Sequence, residues 1–180
     1  WREAFGGDPE VSVSRGDIFE LEADAIVSPA NSFGFINGGI DLVYSQHFGW
    51  ALEDRLREFL RAQYDGELPV GDAVIVATGS TSIPWLVSAP TMRVPMVVSR
   101  TANAYLAFRA ALRAVRRHNL TAAAPIKSIL CPGLGTAIGK MPPRVCAQQM
   151  HAALAAFRAG PTSVPQSLAV AVTHHMGMID

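Results

Sequence analysis

Four short apolar runs constrain the fold more than any other feature: Ala25 to Ser28, Ala73 to Ala77, Trp85 to Ala89 and Ser128 to Cys131. Each has strand length and is bounded by turn-forming residues, as at Pro84 and Pro90. Between them, apolar residues recur at helical spacing. A helix over about 41–64 puts Leu52, Leu56, Phe59 and Leu60 on one face and Glu53, Asp54, Arg57 and Glu58 on the other. A second, over about 101–118, turns Tyr105, Phe108, Leu112 and Val115 inward and presents Arg109, Arg113, Arg116 and Arg117 as a solvated face. A third, over about 143–158, buries Cys146, Met150, Ala153, Leu154 and Phe157. Strands alternating with helices predict an α/β fold whose mixed, mainly parallel sheet is covered on both faces. The unbroken apolar run at Ala73 to Ala77 reads as a buried parallel strand. Val11-Ser12-Val13 reads as a first strand, and Leu168 to Val172 as a last one.

At 180 residues the chain is long enough for a single domain spanning 1–180 that needs no disulfide or metal staple. A net charge of zero with only 17% charged residues argues against a nucleic-acid footprint. Cys131 and Cys146 fit reduced thiols in core packing, and the chain lacks both an 18-residue apolar run and a signal pattern. The expectation is a soluble cytoplasmic protein with no membrane segment. His47 reads as an ordinary helical histidine, and His174-His175 has no third ligand at metal-binding spacing, so no metal site is predicted.

The stretch from Ala25 to Val43 is a strand, a ligand-sized loop and a helix start. Gly38-Gly39 permits positive φ and close backbone approach, while the following helix turns free N–H groups and its positive dipole end toward the loop. That suits an anion, most simply a phosphate. Pro132 to Met141 forms a second glycine loop after the last internal strand. Both loops follow strand ends, so the topology can place them side by side, and ligands of such sheets bind at the strands' carboxyl ends. The chain has no Gly-Lys-Ser/Thr phosphate loop and no Gly-x-Gly-x-x-Gly turn opening a helix after its first strand, which argues against ATPase and dehydrogenase readings.

In chain order, Arg15-Gly16-Asp17-Ile18, the strand end with Asn31, Gly38-Gly39-Ile40-Asp41, and Pro132-Gly133-Leu134-Gly135-Thr136-Ala137-Ile138-Gly139 resemble the macrodomain family, which binds ADP-ribose. The likeness covers about 11–158 and suggests a divergent bacterial- or phage-type member, with 161–180 as a tail of unassigned structure. It implies a three-layer α/β/α fold, ADP-ribose or an ADP-ribosylated protein as partner, and no cofactor. It further implies that Asp17 accepts a hydrogen bond from the adenine amino group, helped by the Ile18 backbone. Asn31, Asn37, Gly38, Gly39, Ile40, Gly133, Gly135, Thr136, Ala137, Ile138 and Gly139 would line the diphosphate and distal ribose, and Asp41 with Asn31 would carry catalysis. Asn31 also reads as a turn residue and Asp41 as a helix cap.

Two positions depart from the family pattern. Gly139 stands where many members carry an aromatic residue, so that wall is missing or comes from Phe33 or Phe35. Ser28 stands where many hydrolytic members carry a second asparagine. The implied activity is hydrolysis of ADP-ribosylated carboxylates or O-acyl-ADP-ribose esters, the alternatives being a non-catalytic reader or an ADP-ribose phosphatase. An unperturbed aspartate with a pKa of about 3.9, lowered further by a helix N-terminus, would orient water rather than take its proton.

Overall fold

Period-two alternation along β1 (Ala25–Ser28) decides how the molecule is layered. Ala25 and Val27 point into one core and Ile26 into another, and all four residues of the strand are buried. The computed structural model describes residues 1–179; Asp180, the end of the tail, lies outside them. β1 is central in the sheet. It pairs in parallel with β3 (Trp85–Ser88), Ala25 opposite Trp85 and Ser28 opposite Ser88, and on its other side in parallel with β4 (Ile129–Leu130). β2 (Val74–Ala77) completes the order β2-β3-β1-β4.

β2 runs antiparallel to β3, with Val74 opposite Ser88, which corrects the parallel assignment. The connection over 78–84 is the reason. A parallel crossover needs a dozen or more residues, whereas this short link closes as a turn in which Thr78 Oγ1 donates to Ile83 O (2.6 Å) and accepts from Ser80 N (3.0 Å). The β4 ladder holds only two residues and is reinforced by Asp24. Its Oδ2 accepts from Lys127 N (2.7 Å), Ser128 N (2.9 Å) and Ser128 Oγ (3.1 Å), and these bonds hold its carboxyl below the usual range.

One sheet face is covered by α2 (Gly39–Phe48) and α3 (Ala51–Tyr64), whose Tyr44, Leu52, Leu56 and Leu60 pack on Ile26, Val74, Val76 and Leu86. The predicted single helix over 41–64 is therefore two. Gly49 adopts φ +89° and ends the first, and the exposed Trp50 precedes the second. Phe59, placed inward by periodicity, lies at the edge of the stripe and is 38% exposed. The opposite face is covered by α1 (Arg2–Phe5), α4 (Asn103–Asn119) and α5 (Pro143–Ala159). Ala104, Ala107, Ala110, Ala111 and Ala114 bring α4 close to Cys146, Met150 and Ala153 of α5 in the same core. Three layers result, as predicted.

Two strand assignments fail. Val11 and Val13 are half-buried against the α4/α5 core, so their alternation records burial; no ladder forms there among the described residues. Residues 168–172 open α6 (Leu168–Ile179), with Ser167 Oγ accepting from Val170 N (3.3 Å). A short apolar run does not distinguish strand from helix by pattern alone, and a serine at its start favours the helix. α6 buries no side chain among those described, and Leu168 is 81% exposed. It is tied down by Gln149, fully buried on α5, whose Nε2 donates to Thr101 O (2.7 Å) and Met178 O (2.9 Å) while its Oε1 accepts from Tyr105 N (3.1 Å). Among the described residues no helix is long and apolar enough to cross a membrane.

Candidate functional site

The carboxyl ends of the parallel strands β1, β3 and β4 open on one edge of the sheet, and the loops leaving them meet there. Between them lies a cavity of about 340 Å³. A Cβ built on Gly38 or Gly39 would come within 3.9 or 3.7 Å of Ile138 Cδ1, which measures how closely the first glycine loop faces the second. Gly39 has φ +58° and Gly135 φ +70°, so both turns depend on glycine. Gly38 is the N-cap of α2 and supplies no side-chain bond, and it borders the cavity together with the first turn of that helix, Gly39, Ile40 and Asp41, the end at which a helix has N–H groups to offer. The second loop is self-bonded: Met141 N donates to Gly135 O (3.0 Å), Lys140 N to Ala137 O (3.2 Å) and Thr136 Oγ1 to Gly133 O (3.1 Å).

Asp41 is the one charged-type side chain on the wall among the described residues. It is 6% exposed, and its Oδ1 accepts a 2.7 Å bond from Ser28 Oγ, itself fully buried at the end of β1. No basic group pairs with it among the described residues. Burial pushes its carboxyl up from 3.8 to about 7, against the opposing pull of the Ser28 bond. The expectation of a lowered pKa is thereby overturned. Loss of solvent outweighs the Ser28 bond, and a carboxylate titrating near neutrality is suited to taking a proton. Nor does Asp41 cap the helix: it stands in the first turn, and its carboxyl is turned to Ser28 instead. Ser28, a departure at the sequence level, supplies the only hydrogen bond that Asp41's carboxyl is shown to receive among the described residues.

Asn31 lines the cavity, but its amide serves the loop. Oδ1 accepts from Phe33 N (3.0 Å) and Phe35 N (3.3 Å), and Nδ2 donates to Phe35 O (2.8 Å). Asn37, Gly38, Gly39, Ile40, Gly133, Gly135, Thr136, Ala137, Ile138 and Gly139 all border the cavity with it. Asp17 and Ile18 do not. Asp17 is exposed and caps the one-turn 3-10 helix Ile18–Glu20, its Oδ1 accepting from Phe19 N (3.0 Å). Of the two phenylalanines offered as a wall, Phe35 borders the cavity, whereas the Phe33 ring sits under the Arg93 guanidinium at 5.0 Å. Gly139 has no room for any side chain. A Cβ there would collide with Gly135 O and lie 2.6 Å from Val98 Cγ2.

Sequence reasoning missed Thr91, Met92 and Pro95, which follow β3 and border the cavity. The signal was available: a strand parallel to β1 must deliver its following residues to the same edge. His47, set aside as ordinary, stacks on Phe19 at 3.7 Å between ring centroids and lies outside the cavity. A second cleft, of about 400 Å³, lies between the start of α4 and α6 and draws on neither glycine loop. Near it, Tyr105 N is already satisfied by Gln149, and Asn103 N by Thr101 Oγ1 (3.3 Å).

Comparison with known proteins agrees with this architecture. The model of the macro domain matches residues 27–150. An uncharacterised protein of Aquifex aeolicus is 33% identical over 141 residues, 78% of this chain and 78% of its own length. The macrodomain of Mycobacterium tuberculosis DarG superposes with a TM-score of 0.63 at 22% identity, covering 79% of this chain and 88% of its own. The Trypanosoma brucei macrodomain in complex with ADP-ribose superposes with a TM-score of 0.60 at 16% identity, covering 78% of this chain and 56% of its own. At these identities the structural likeness speaks for the fold, and the sequence matches speak for kinship. Two glycine loops meeting at the ends of parallel strands, in a chain matched by the family model over most of its length, make this protein a member of the macro domain family.

Proposed function

We propose that residues 1–180 act as one domain that binds ADP-ribose in the cavity between the glycine loops and hydrolyses ADP-ribosylated carboxylates or O-acyl-ADP-ribose esters. The open N-terminus of α2 and the backbone of the second loop suit a diphosphate. The family relationship and the T. brucei complex supply the ligand class. The observation that supports catalysis is the placing of Asp41, a carboxyl 6% exposed on the cavity wall, held by Ser28 and unpaired with any cation among the described residues, whose burial pushes its pKa up to about 7. As general base it takes a proton from water while the water oxygen bonds to the anomeric carbon and the carboxylate leaves. For an acyl ester, the same water attacks the acyl carbon as Asp41 takes its proton; the bond from the acyl carbon to the ribose oxygen breaks, and the ribose oxygen leaves and regains a proton as the hydroxyl.

A reader without turnover would use the same cavity. The Asn31 amide, engaged with loop backbone rather than free, is the feature that favours it. Calorimetric titration with ADP-ribose, with AMP and NAD as controls, tests binding, and turnover of an ADP-ribosylated carboxylate separates the two readings. At about 100 times its dissociation constant, ADP-ribose should stabilise the fold by about 2.7 kcal/mol. No stabilisation at millimolar ligand would refute binding. Asp17→Ala tests whether the adenine reaches the Asp17 turn. It should weaken ADP-ribose more than ribose 5-phosphate, and equal losses would remove Asp17 from the adenine site.

A further inference from the structure

The loop carrying Phe35 is held from behind by a helix that does not border the cavity. Gly34 presses the loop onto α3 so closely that a Cβ there would come within 3.0 Å of Leu60, 3.2 Å of Leu56 and 3.3 Å of Arg57 Cγ. Both backbone polar groups of Phe35 are bonded to the Asn31 amide. Ile36 N donates to Glu53 Oε2 (2.7 Å), and Ile36 O accepts from Ser45 Oγ (2.6 Å). The Phe35 ring, in a residue still 39% exposed, is the part of the segment left projecting, and the Arg57 guanidinium lies over it at 4.3 Å from the centroid. Arg57 is itself steadied by Glu53 at 3.8 Å, one helical turn earlier. Arg57 and Glu53 stand outside the cavity lining.

The geometry points to Arg57 as a positioning residue that fixes the Phe35 ring as a flat wall of the ligand cavity, a role that rests on the ligand reading above. A phenylalanine on a surface loop has two free torsions, and a cation parked on one face restricts them while leaving the rest of the ring for a ligand's sugar or base to pack against. The arrangement matters because the facing loop offers no aromatic ring: Gly139 has no room for a side chain, and Thr136, Ala137 and Ile138 line the cavity there. Glu53 links ring and backbone. It accepts from the residue after Phe35 and faces the arginine stacked on Phe35, so α3 controls the wall through two adjacent contacts.

The test is a double-mutant cycle on ADP-ribose affinity with Arg57→Ala, Phe35→Ala and the pair, read by calorimetry at low and high salt. Arg57→Ala should weaken binding roughly threefold to tenfold, Phe35→Ala by tenfold or more, and Arg57→Ala should add nothing in the Phe35→Ala background. Arg57→Lys, which keeps a cation near the ring, should restore part of the loss. Equal weakening by Arg57→Ala in both backgrounds, deepening at low salt, would show Arg57 contacting the ligand's phosphates directly and overturn the positioning role. No effect of Arg57→Ala on wild-type affinity would overturn it as well. Titration of wild type comes first, because failure there refutes ADP-ribose binding itself. The same cycle read on ligand-free thermal stability then reports whether Arg57 and Phe35 are coupled at all. AMP in parallel identifies the ring that meets the wall: loss of AMP affinity in Phe35→Ala assigns it to the base end, and unchanged AMP affinity to the sugar end.

Discussion

Replacing Asp41 with asparagine should make the protein more stable and less active, and the stability gain should depend on pH in a defined direction. The substitution keeps the side chain's shape, and an asparagine Oδ1 still accepts the Ser28 hydroxyl. In wild type the unfolded carboxyl titrates near 3.8 and the folded one at about 7. Below the lower value both states are protonated and the group contributes nothing. Between the two, the unfolded state releases a proton that the folded state keeps, so stability falls by about 1.4 kcal/mol for each pH unit. Above about 7 both states are ionised, and the accumulated loss, about 4 kcal/mol, is constant. The asparagine variant has no such slope. Urea unfolding of both proteins should therefore show the variant gaining about 3 kcal/mol on wild type between about pH 5 and about pH 8. A stability difference that does not change with pH would refute the burial argument. In the same variant, turnover should fall by about 10² or more with ADP-ribose affinity little changed, while the wild-type rate rises through about pH 7.

Three further outcomes are expected. Ser28→Ala removes a bond that draws the Asp41 pKa down, so the rising limb of the pH–rate profile should move to higher pH; an unmoved limb would detach Ser28 from the proton chemistry. Gly139→Ala forces a Cβ against Gly135 O and Val98 Cγ2, and should lower stability by about 1–3 kcal/mol in denaturant titration and weaken ADP-ribose; wild-type stability would mean that the loop yields freely. Gln149→Leu strands Thr101 O, Tyr105 N and Met178 O, so a loss of roughly 2–4 kcal/mol is expected together with faster proteolysis within α6; protection equal to wild type would show α6 held by other contacts.

The glycine loops were legible because backbone geometry dictates residue type there. Gly39 and Gly135 need positive φ, and their spacing from the strand ends follows from the chain alone. The layers were legible for a similar reason, since alternation in β1 and a stripe at Leu52, Leu56 and Leu60 translate directly into buried faces. What escaped depended on partners distant in sequence. The direction of β2 followed from a connection whose shortness was visible but was outweighed by its apolar run. The protonation of Asp41 depends on how much solvent the finished fold leaves around it, and the helix start alone points the other way. Ser28 looked like a loss because sequence comparison counts identities, whereas at that position the structure uses a hydroxyl.

The site is also divided along the chain. Asp24, just before β1, bonds to Ser128, just before β4, across 104 residues, and each of these strands releases one of the two loops that meet at the cavity. A ligand gripped by both loops closes a long loop of chain that a two-residue ladder and the bonds between Asp24 and residues 127–128 help to hold at that edge. Its effect would reach well beyond the atoms it touches. Partial openings that detach β4 would expel the ligand, so amides of β1 and β4 should gain protection from hydrogen exchange in step with ligand concentration, while those of α6, which packs on α5 and does not border the cavity, keep their own rate.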